Sequence, residues 1–506
     1  MKKNTKILII VSVAAVLLVG LMLLLIFMPK GNEDATATYD EGISMSTSTD
    51  ENGVHQAKIN TDENGEIENN SYGTLIEYIP SQISKIHLEN AKGTLDITSY
   101  TPVNKNGETD TTVYEIVGYE DFDLQAGVAD LIANAVSTIE FTKVVTLEKE
   151  EGADFGFEKP RATATVTYTD DTTAVIIVGD DAPQGAGTYI KFGDSDTVYL
   201  VDADTMTALD YGLTDLMSLT INSSASDSVN SQASSITLSG SNFSDTIVLK
   251  PNDGEKSTAS YVMTSPVECY ANENESSLVE GAIRGLYAVS VKMVNPSSDQ
   301  LKSLGLSSPY AEVNAVYPDE TVDILSSKPD GDGNVNVMKK GGNVVYVMAS
   351  SSLPWVTTSY EALVNEYVLY PKMTALSQMT VNDGSKTYDL KLSTKETTKT
   401  DDDGSETTAT TTTVQYGKTE IDVAEFSTFF QSVALIELTD TTQESVSGNP
   451  VATVTYTYST DGSTDTVMFY SSSSNNYVAT LNGRVVGHAY KSAVNGISKD
   501  IAELVK

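Results

Sequence analysis

The chain has 506 residues, with 31 Lys and Arg against 70 Asp and Glu for a net charge of −39. A surface this acidic argues against nucleic-acid binding and against electrostatic docking on anionic lipid, because it repels polyanions. The one cysteine, Cys269, excludes an intramolecular disulfide, a thiolate metal cluster and a C2H2 site, and the three histidines (His55, His87, His488) are too far apart for HExxH.

Hydrophobic residues make up 40% of the chain, enough for packed cores, and a length of this order suits roughly three domains. Residues 1–6, MKKNTK, read as a cytoplasmic tail. Ile7–Met28 is 22 residues without a charge. At about 1.5 Å per residue a helix of this length spans a bilayer core. A cleaved signal peptide is the alternative, but its apolar run is usually shorter and followed by a small-x-small site, which is missing here. The lysines before the run and the acids after it place the N-terminus in the cytoplasm and the bulk of the chain outside the cell membrane. Residues 29–72 are rich in Gly, Asn, Thr, Ser and acids, repeat TDENG, and read as a flexible linker.

The remainder is expected to be α+β, strand-dominated, in three related units at 73–220, 230–372 and 373–506. Each begins with a hairpin of alternating apolar residues: Ile86 and Leu88 with Leu95 and Ile97, then Ile236 and Leu238 with Ile247 and Leu249, then Met379 and Val381 with Leu390 and Leu392. An amphipathic helix follows. In the first unit its apolar face is read as Leu124, Val128, Leu131, Ile132, Ala135 and Ile139, and a strand is expected from Val144. In the second the face is Leu278, Val279, Ile283 and Leu286, with Ser277 and Glu280 at capping-box spacing. In the third it is Val423, Phe426, Phe429, Phe430 and Val433, with Asp422 and Glu425 at the capping positions.

The second half of each unit aligns on a proline. Pro160, Pro309 and Pro450 open strands, and Tyr168, Tyr317 and Tyr458 each lie eight residues on. Asp170 and Asp319 follow two residues later; the third copy has Thr460 there and Asp461 next. Gly156-Phe157 and Gly305-Leu306 precede the first two prolines, and Val446-Ser447 departs from the pattern. Tyr199 and Tyr346 recur further on, where the third copy has Gly487. The longest interruption, Thr397–Thr413, reads as an elaborated hairpin arm.

No catalytic, cofactor-binding or metal-binding residue is assigned. Asp330, Asp332 and Asn334 imitate the start of a calcium loop, but Val335 and Gly341 stand where an EF-hand needs Gly and Glu. A hairpin turn is the expectation, with a weak calcium site as the alternative, and Asp401–Glu406 reads likewise. The pairs Asp170-Asp171 and Asp319-Glu320 fit turns better than the two opposed carboxylates of a glycosidase. Gly179–Gly187 carries acids where a phosphate would sit and reads as a hairpin connection. Trp355, the sole tryptophan, is expected in the core of the second unit, with a partner-binding anchor as the alternative.

Gly156-Phe-Glu-Lys-Pro160, the strand through Tyr168, Val175–Gly179, Gly187-Thr-Tyr189 and Val198–Val201 together resemble the bacterial family called domain of unknown function 4340. The resemblance covers 154–217 and 303–371 better than the last unit. It implies a membrane-anchored envelope protein and transfers no active-site residue. The expected function is non-enzymatic: an accessory of an ABC-type exporter or an envelope assembly. A module binding cell-wall glycan or substrate through its tyrosine-rich strands is the alternative.

Overall fold

The computed structural model describes residues 62–64, 73–105, 107, 111–147, 153–224, 232–400, 406–440, 444–472 and 475–506. Ile7–Met28 lies outside them, and among the described residues no helix is long and apolar enough to cross a membrane.

Three antiparallel sheets of nine strands are formed. In the second the order is Cys269–Tyr270, Tyr261–Ser265, Ile247–Pro251, Ser235–Ser239, Ala311–Val316, Thr321–Ser326, Asn334–Lys339, Val344–Ala349 and Ser290–Val294. The third sheet, from Leu376–Asn382 to Arg484–Tyr490, repeats this order strand for strand. The first has the same eight central and flanking strands. It lacks the counterpart of Cys269–Tyr270 and gains Gly73–Glu77 on its other edge.

The alternation read from sequence is the register of the sheets. Leu88 pairs with Leu95 and, on its other side, with Ala164; Leu238 pairs with Ile247 and Val313; Met379 pairs with Leu390 and Tyr456. The proline-led strands begin two residues after each proline, at Ala162, Ala311 and Ala452, and bury every second residue. In the first repeat the helix meets that buried face, where the Tyr168 hydroxyl donates to the Val136 carbonyl oxygen at 2.8 Å, and the helix of the third repeat does likewise, giving a two-layer arrangement. Phe430, for example, meets Tyr456 edge-on at 6.3 Å between ring centroids. In the third repeat a second helix, Lys491–Leu504, buries Val494, Ile497 and Ile501 and packs along Val423–Ala434.

Several helix expectations are corrected. The first helix is only Val128–Ser137, and Ile139 and Val144 both belong to one strand, Thr138–Thr146. Its buried side is Ala129, Ile132, Ala133, Ala135 and Val136, so Ile132 and Ala135 lie on the face as expected while Leu131 is 48% exposed. Leu278 is likewise 57% exposed. The second helix starts at Glu273 and is capped by Asn272, whose carboxamide oxygen accepts from the N–H groups of Asn274 and Glu275. Ser277 is therefore inside the helix, and Glu280 accepts the Ala233 N–H at 3.0 Å instead. Asp422 caps the third helix from the expected position.

The described chain divides into two compact units, although it contains three sheets. The first holds the residues up to Val117 with Asp130–Asp210, and so the whole first sheet. The second holds Gly118–Ala129 with Tyr211–Lys506, and so both other sheets. Within the second unit Leu124 bridges to Met217, and Thr220 to Tyr287.

Candidate functional site: tyrosine lids and the seam between two sheets

The repeated tyrosine and acid form one device in all three copies. Each tyrosine is buried at the end of its proline-led strand. Its ring face is covered by a side chain that also binds the acid just beyond the strand. Over Tyr168 the lid is Tyr78, stacked at 3.7 Å between centroids, with its hydroxyl 3.0 Å from Asp170. Over Tyr317 it is the Arg284 guanidinium at 3.9 Å, which also donates to Asp319 and lies 3.3 Å from Glu320. Over Tyr458 it is Lys256 at 5.1 Å, paired with Asp461 at 3.0 Å. The two cationic lids face the ring quadrupole, and the acid holds them there.

These contacts fix the protonation of the acids. Hydrogen bonds from Thr172 hold Asp170 below the usual carboxylate range, and the bond from Arg284 does the same for Asp319. Hydrogen bonds from Ser463, then from Lys256, bring Asp461 down to about 2. A glycosidase acid must be held above the ordinary range so that it carries a proton at neutral pH. These carboxyls are displaced the other way.

The other candidate segments resolve into structure. Asp330 accepts from the N–H groups of Asp332 and Asn334 at 3.0 and 2.8 Å, closing the turn between Thr321–Ser326 and Asn334–Lys339. Among the described residues no group of three or more His, Cys, Asp or Glu side chains is placed to hold a metal ion. Gly179–Gly187 joins Thr173–Asp181 to Thr188–Phe192. The arm around Thr397–Thr413 is a ribbon, Thr387–Thr400 against Glu406–Tyr416, registered from Leu390↔Tyr416 to Thr400↔Glu406; Asp401–Ser405 lies outside the described residues. Trp355 is fully buried, and its indole N–H donates to Ser326 Oγ at 3.2 Å.

The seam between the second and third sheets is built on the strap Tyr360–Leu369. Its Asn365 N–H donates to Tyr270 O at 3.2 Å, its Val368 N–H to Ile436 O at 3.1 Å, and its Glu366 O accepts from Leu438 N–H at 2.7 Å. Beside it lies a chamber of about 120 Å³ whose walls mix the aliphatic Val267, Val364, Val368, Leu369, Leu438 and Val486 with Tyr270, Tyr360, Asn365 and Tyr367. An open cleft of about 420 Å³ adjoins it and carries Asp253, Lys256, Glu268, Asp465, Asn482 and Arg484. Cys269, Tyr270, Leu369 and Leu481 line both spaces. Burial pushes the Cys269 thiol up to about 11, so it stays a neutral thiol at physiological pH.

On the far edge of the third sheet His488 is held between two carboxylates. Nδ1 lies 2.6 Å from Asp440 and Nε2 3.1 Å from Glu444, an arrangement that wants both nitrogens protonated. Burial alone would lower the His488 pKa, but the two hydrogen bonds outweigh it and the pKa is raised. A folded pKa above the unfolded one means stability that is fully present below about pH 6.5 and lost as pH rises through the folded value. His488→Gln is therefore expected to cost about 1 kcal/mol at pH 6 and close to nothing at pH 9. Urea unfolding at both pH values checks this, and an equal loss at both would contradict the pairing.

All three lid residues, Tyr78, Arg284 and Lys256, and also Arg484 and the His488 pair, stand outside the alignment of the repeats. Their partners come from different offsets in each copy. For Arg284 and Arg484 the available sequence signal is scarcity, since the chain has just three arginines, Arg161, Arg284 and Arg484.

The fold and these sites define a protein of serially repeated antiparallel sheet-and-helix units whose repeated polar residues serve the scaffold. The chain belongs to the family described as Domain of unknown function (DUF4340), whose model matches residues 115–280 and 262–452. Each match begins in a strand of one sheet and runs through the hairpin of the next. The two matches are thus set out of phase with the sheets. No curated protein and no solved structure matches the chain.

Proposed function

We propose that the protein is a non-enzymatic extracytoplasmic scaffold, anchored in the cell membrane by Ile7–Met28 with its N-terminus in the cytoplasm. Its three units, 73–220, 230–372 and 373–506, serve an ABC-type exporter or an envelope assembly. The observation that carries this reading is the lid device. The acids that recur from copy to copy bind the side chains covering their own tyrosines, and so maintain a repeated scaffold rather than converging on a cleft. The uncharged 22-residue run and the acidic remainder support the anchor and its orientation.

The test is fractionation and crosslinking of the tagged full-length chain in its native membrane. Extraction only by detergent, with recovery of transporter or envelope-assembly subunits, is the expected result. Release by alkaline carbonate wash would overturn the anchor. Efficient crosslinking that recovers no membrane or envelope partner would overturn the accessory role.

A further inference from the structure

We propose that the protein assembles head to tail, the strand Gly73–Glu77 of one copy adding to the free edge of Thr419–Ile421 in the next. The chain already makes this joint twice within itself.

In the first joint the Gln125 N–H donates to Leu216 O and the Ser218 N–H to Asp123 O, both at 2.8 Å, around the bridge Leu124↔Met217. In the second the Asn272 N–H donates to Leu363 O at 2.9 Å and the Asn365 N–H to Tyr270 O at 3.2 Å, around Ala271↔Val364. Each residue of the second joint stands the same number of positions after its counterpart in the first, so the two are copies of one contact. The bridging strands continue onto the segment that follows the next helix. There the Ala288 N–H donates to Leu219 O at 2.8 Å and the Leu438 N–H to Glu366 O at 2.7 Å. A bridging strand therefore has two sides, one for the segment before a helix and one for the segment after the next helix.

Gly73–Glu77 has only the second side filled. The Tyr78 N–H donates to Ser137 O at 2.8 Å, as Ile221 does to Leu286 and Val368 to Ile436, and the strand forms the edge of the first sheet. Counting back from these donors, Thr74 matches Met217 and Val364. Thr419–Ile421 is the reverse case. It is an edge strand of the third sheet, and Asp422 caps the third helix as Asn272 caps the second, so Ile421 matches Ala271. In the first two repeats short helices, Leu213–Leu216 and Tyr360–Leu363, lead into the bridging strand. In the third, Arg484–Tyr490 runs into the single helix Lys491–Leu504, which packs along Val423–Ala434 instead. Among the described residues no backbone group pairs with the outer side of either edge strand.

An edge strand with free N–H and C=O groups is a template for a strand of another chain. Here the two edges are the two halves of the internal joint, which is why a second copy is the occupant. Because the halves differ, the contact is heterologous and repeats into an open series rather than closing a dimer. The internal joints set its register, with Thr74 of one copy opposite Ile421 of the next. The hydrogen bonds of both internal joints flank the bridged pair, which is the geometry that brings Cα atoms to about 4.5 Å.

The test is sedimentation of the detergent-solubilised full-length chain over a range of concentrations, in about 0.3 M salt to screen its net charge. Species growing beyond the dimer are expected. Copies carrying Thr74→Cys are then mixed with separately tagged copies carrying Ile421→Cys, both with Cys269→Ser, and oxidised. The mixed disulfide is expected, and neither variant alone should crosslink to itself. Thr74→Glu sets a carboxylate against the aliphatic Ile421 and is expected to weaken association at least tenfold. Thr74→Val gives the strand the residue found at Val364 and is expected to associate at least as tightly as the native chain. Should a variant fail to fold, sedimentation of the unmodified chain still decides. A monomer at every concentration, a closed dimer, no mixed disulfide, or equal association of the Glu and Val variants would each overturn the proposal. So would oxidation that joins the residue-421 thiol to a different protein while leaving the residue-74 copies free.

Discussion

Replacing Trp355 with alanine is expected to destabilise the unit that holds the second and third sheets by about 3–5 kcal/mol. The indole is the largest fully buried side chain in the structure. It follows the last central strand of the second sheet, in the turn Pro354–Thr357, whose proline sits in the first helical turn. Truncation leaves a cavity that the sheet cannot close, because its strands are pinned on both sides by register. It also removes the donor to Ser326 Oγ, which is itself fully buried, adding about 1 kcal/mol. Trp355→Phe keeps most of the volume and is expected to cost roughly half as much. Urea unfolding followed by far-UV circular dichroism reads both variants. A loss below about 1 kcal/mol for alanine would mean that the ring is not closing this core.

The strands were legible because their signal is local. A period of two apolar residues, bounded by turns, needs no knowledge of the rest of the chain. It located all three leading hairpins and the proline-led strands that pair with them. The helices were less legible because periodicity does not say where a helix stops. Leu124 and Ile139 sit in phase with the first helix, yet Leu124 bridges to Met217 and Ile139 lies in a strand. In the second repeat Leu278 drew the apolar face toward solvent. The side that is buried is marked by Ser276 and Val279, and a buried serine carries no hydrophobic signal.

The lids were illegible for a different reason. Alignment showed that a tyrosine and an acid recur, and a turn residue seemed sufficient explanation. The structure adds what turns cannot: a third side chain binding both. Tyr78 precedes its hairpin, Arg284 follows its helix, and Lys256 belongs to the preceding repeat. A phenol, a guanidinium and an ammonium from three places share no sequence pattern, although each covers the same ring. The same limit hid the seam, since the two spaces there are assembled from residues more than two hundred positions apart. Packing across that seam also joins the last two sheets into one compact unit where periodicity suggested separate ones.

The second large effect concerns the position where the third copy departs from the others. Tyr199 and Tyr346 occupy it in the first two repeats, so Gly487→Tyr restores the residue of its relatives. Substitutions toward a consensus commonly stabilise. Here the opposite is expected, a loss of more than about 3 kcal/mol. In the first two sheets the tyrosine pairs with a valine of the neighbouring strand, Val144 with Tyr199 and Val291 with Tyr346, next to a register shift. In the third, the edge strand Leu438–Asp440 pairs with Ala489 and His488 and shifts register beside Gly487, and a Cβ at Gly487 would come within 2.1 Å of the Asp440 carbonyl oxygen. That oxygen belongs to backbone, so it yields only if the edge strand leaves the sheet. Alanine already meets this contact and is expected to lose about 2 kcal/mol; tyrosine must displace the strand entirely. Displacement carries Asp440 away from His488, so Gly487→Tyr should also flatten the fall in stability between pH 6 and pH 9. Hydrogen exchange at Leu438–Asp440, read with urea unfolding at both pH values, checks the two consequences together. A Gly487→Tyr protein with unchanged stability and a protected edge strand would show that the third sheet accepts the geometry of the other two.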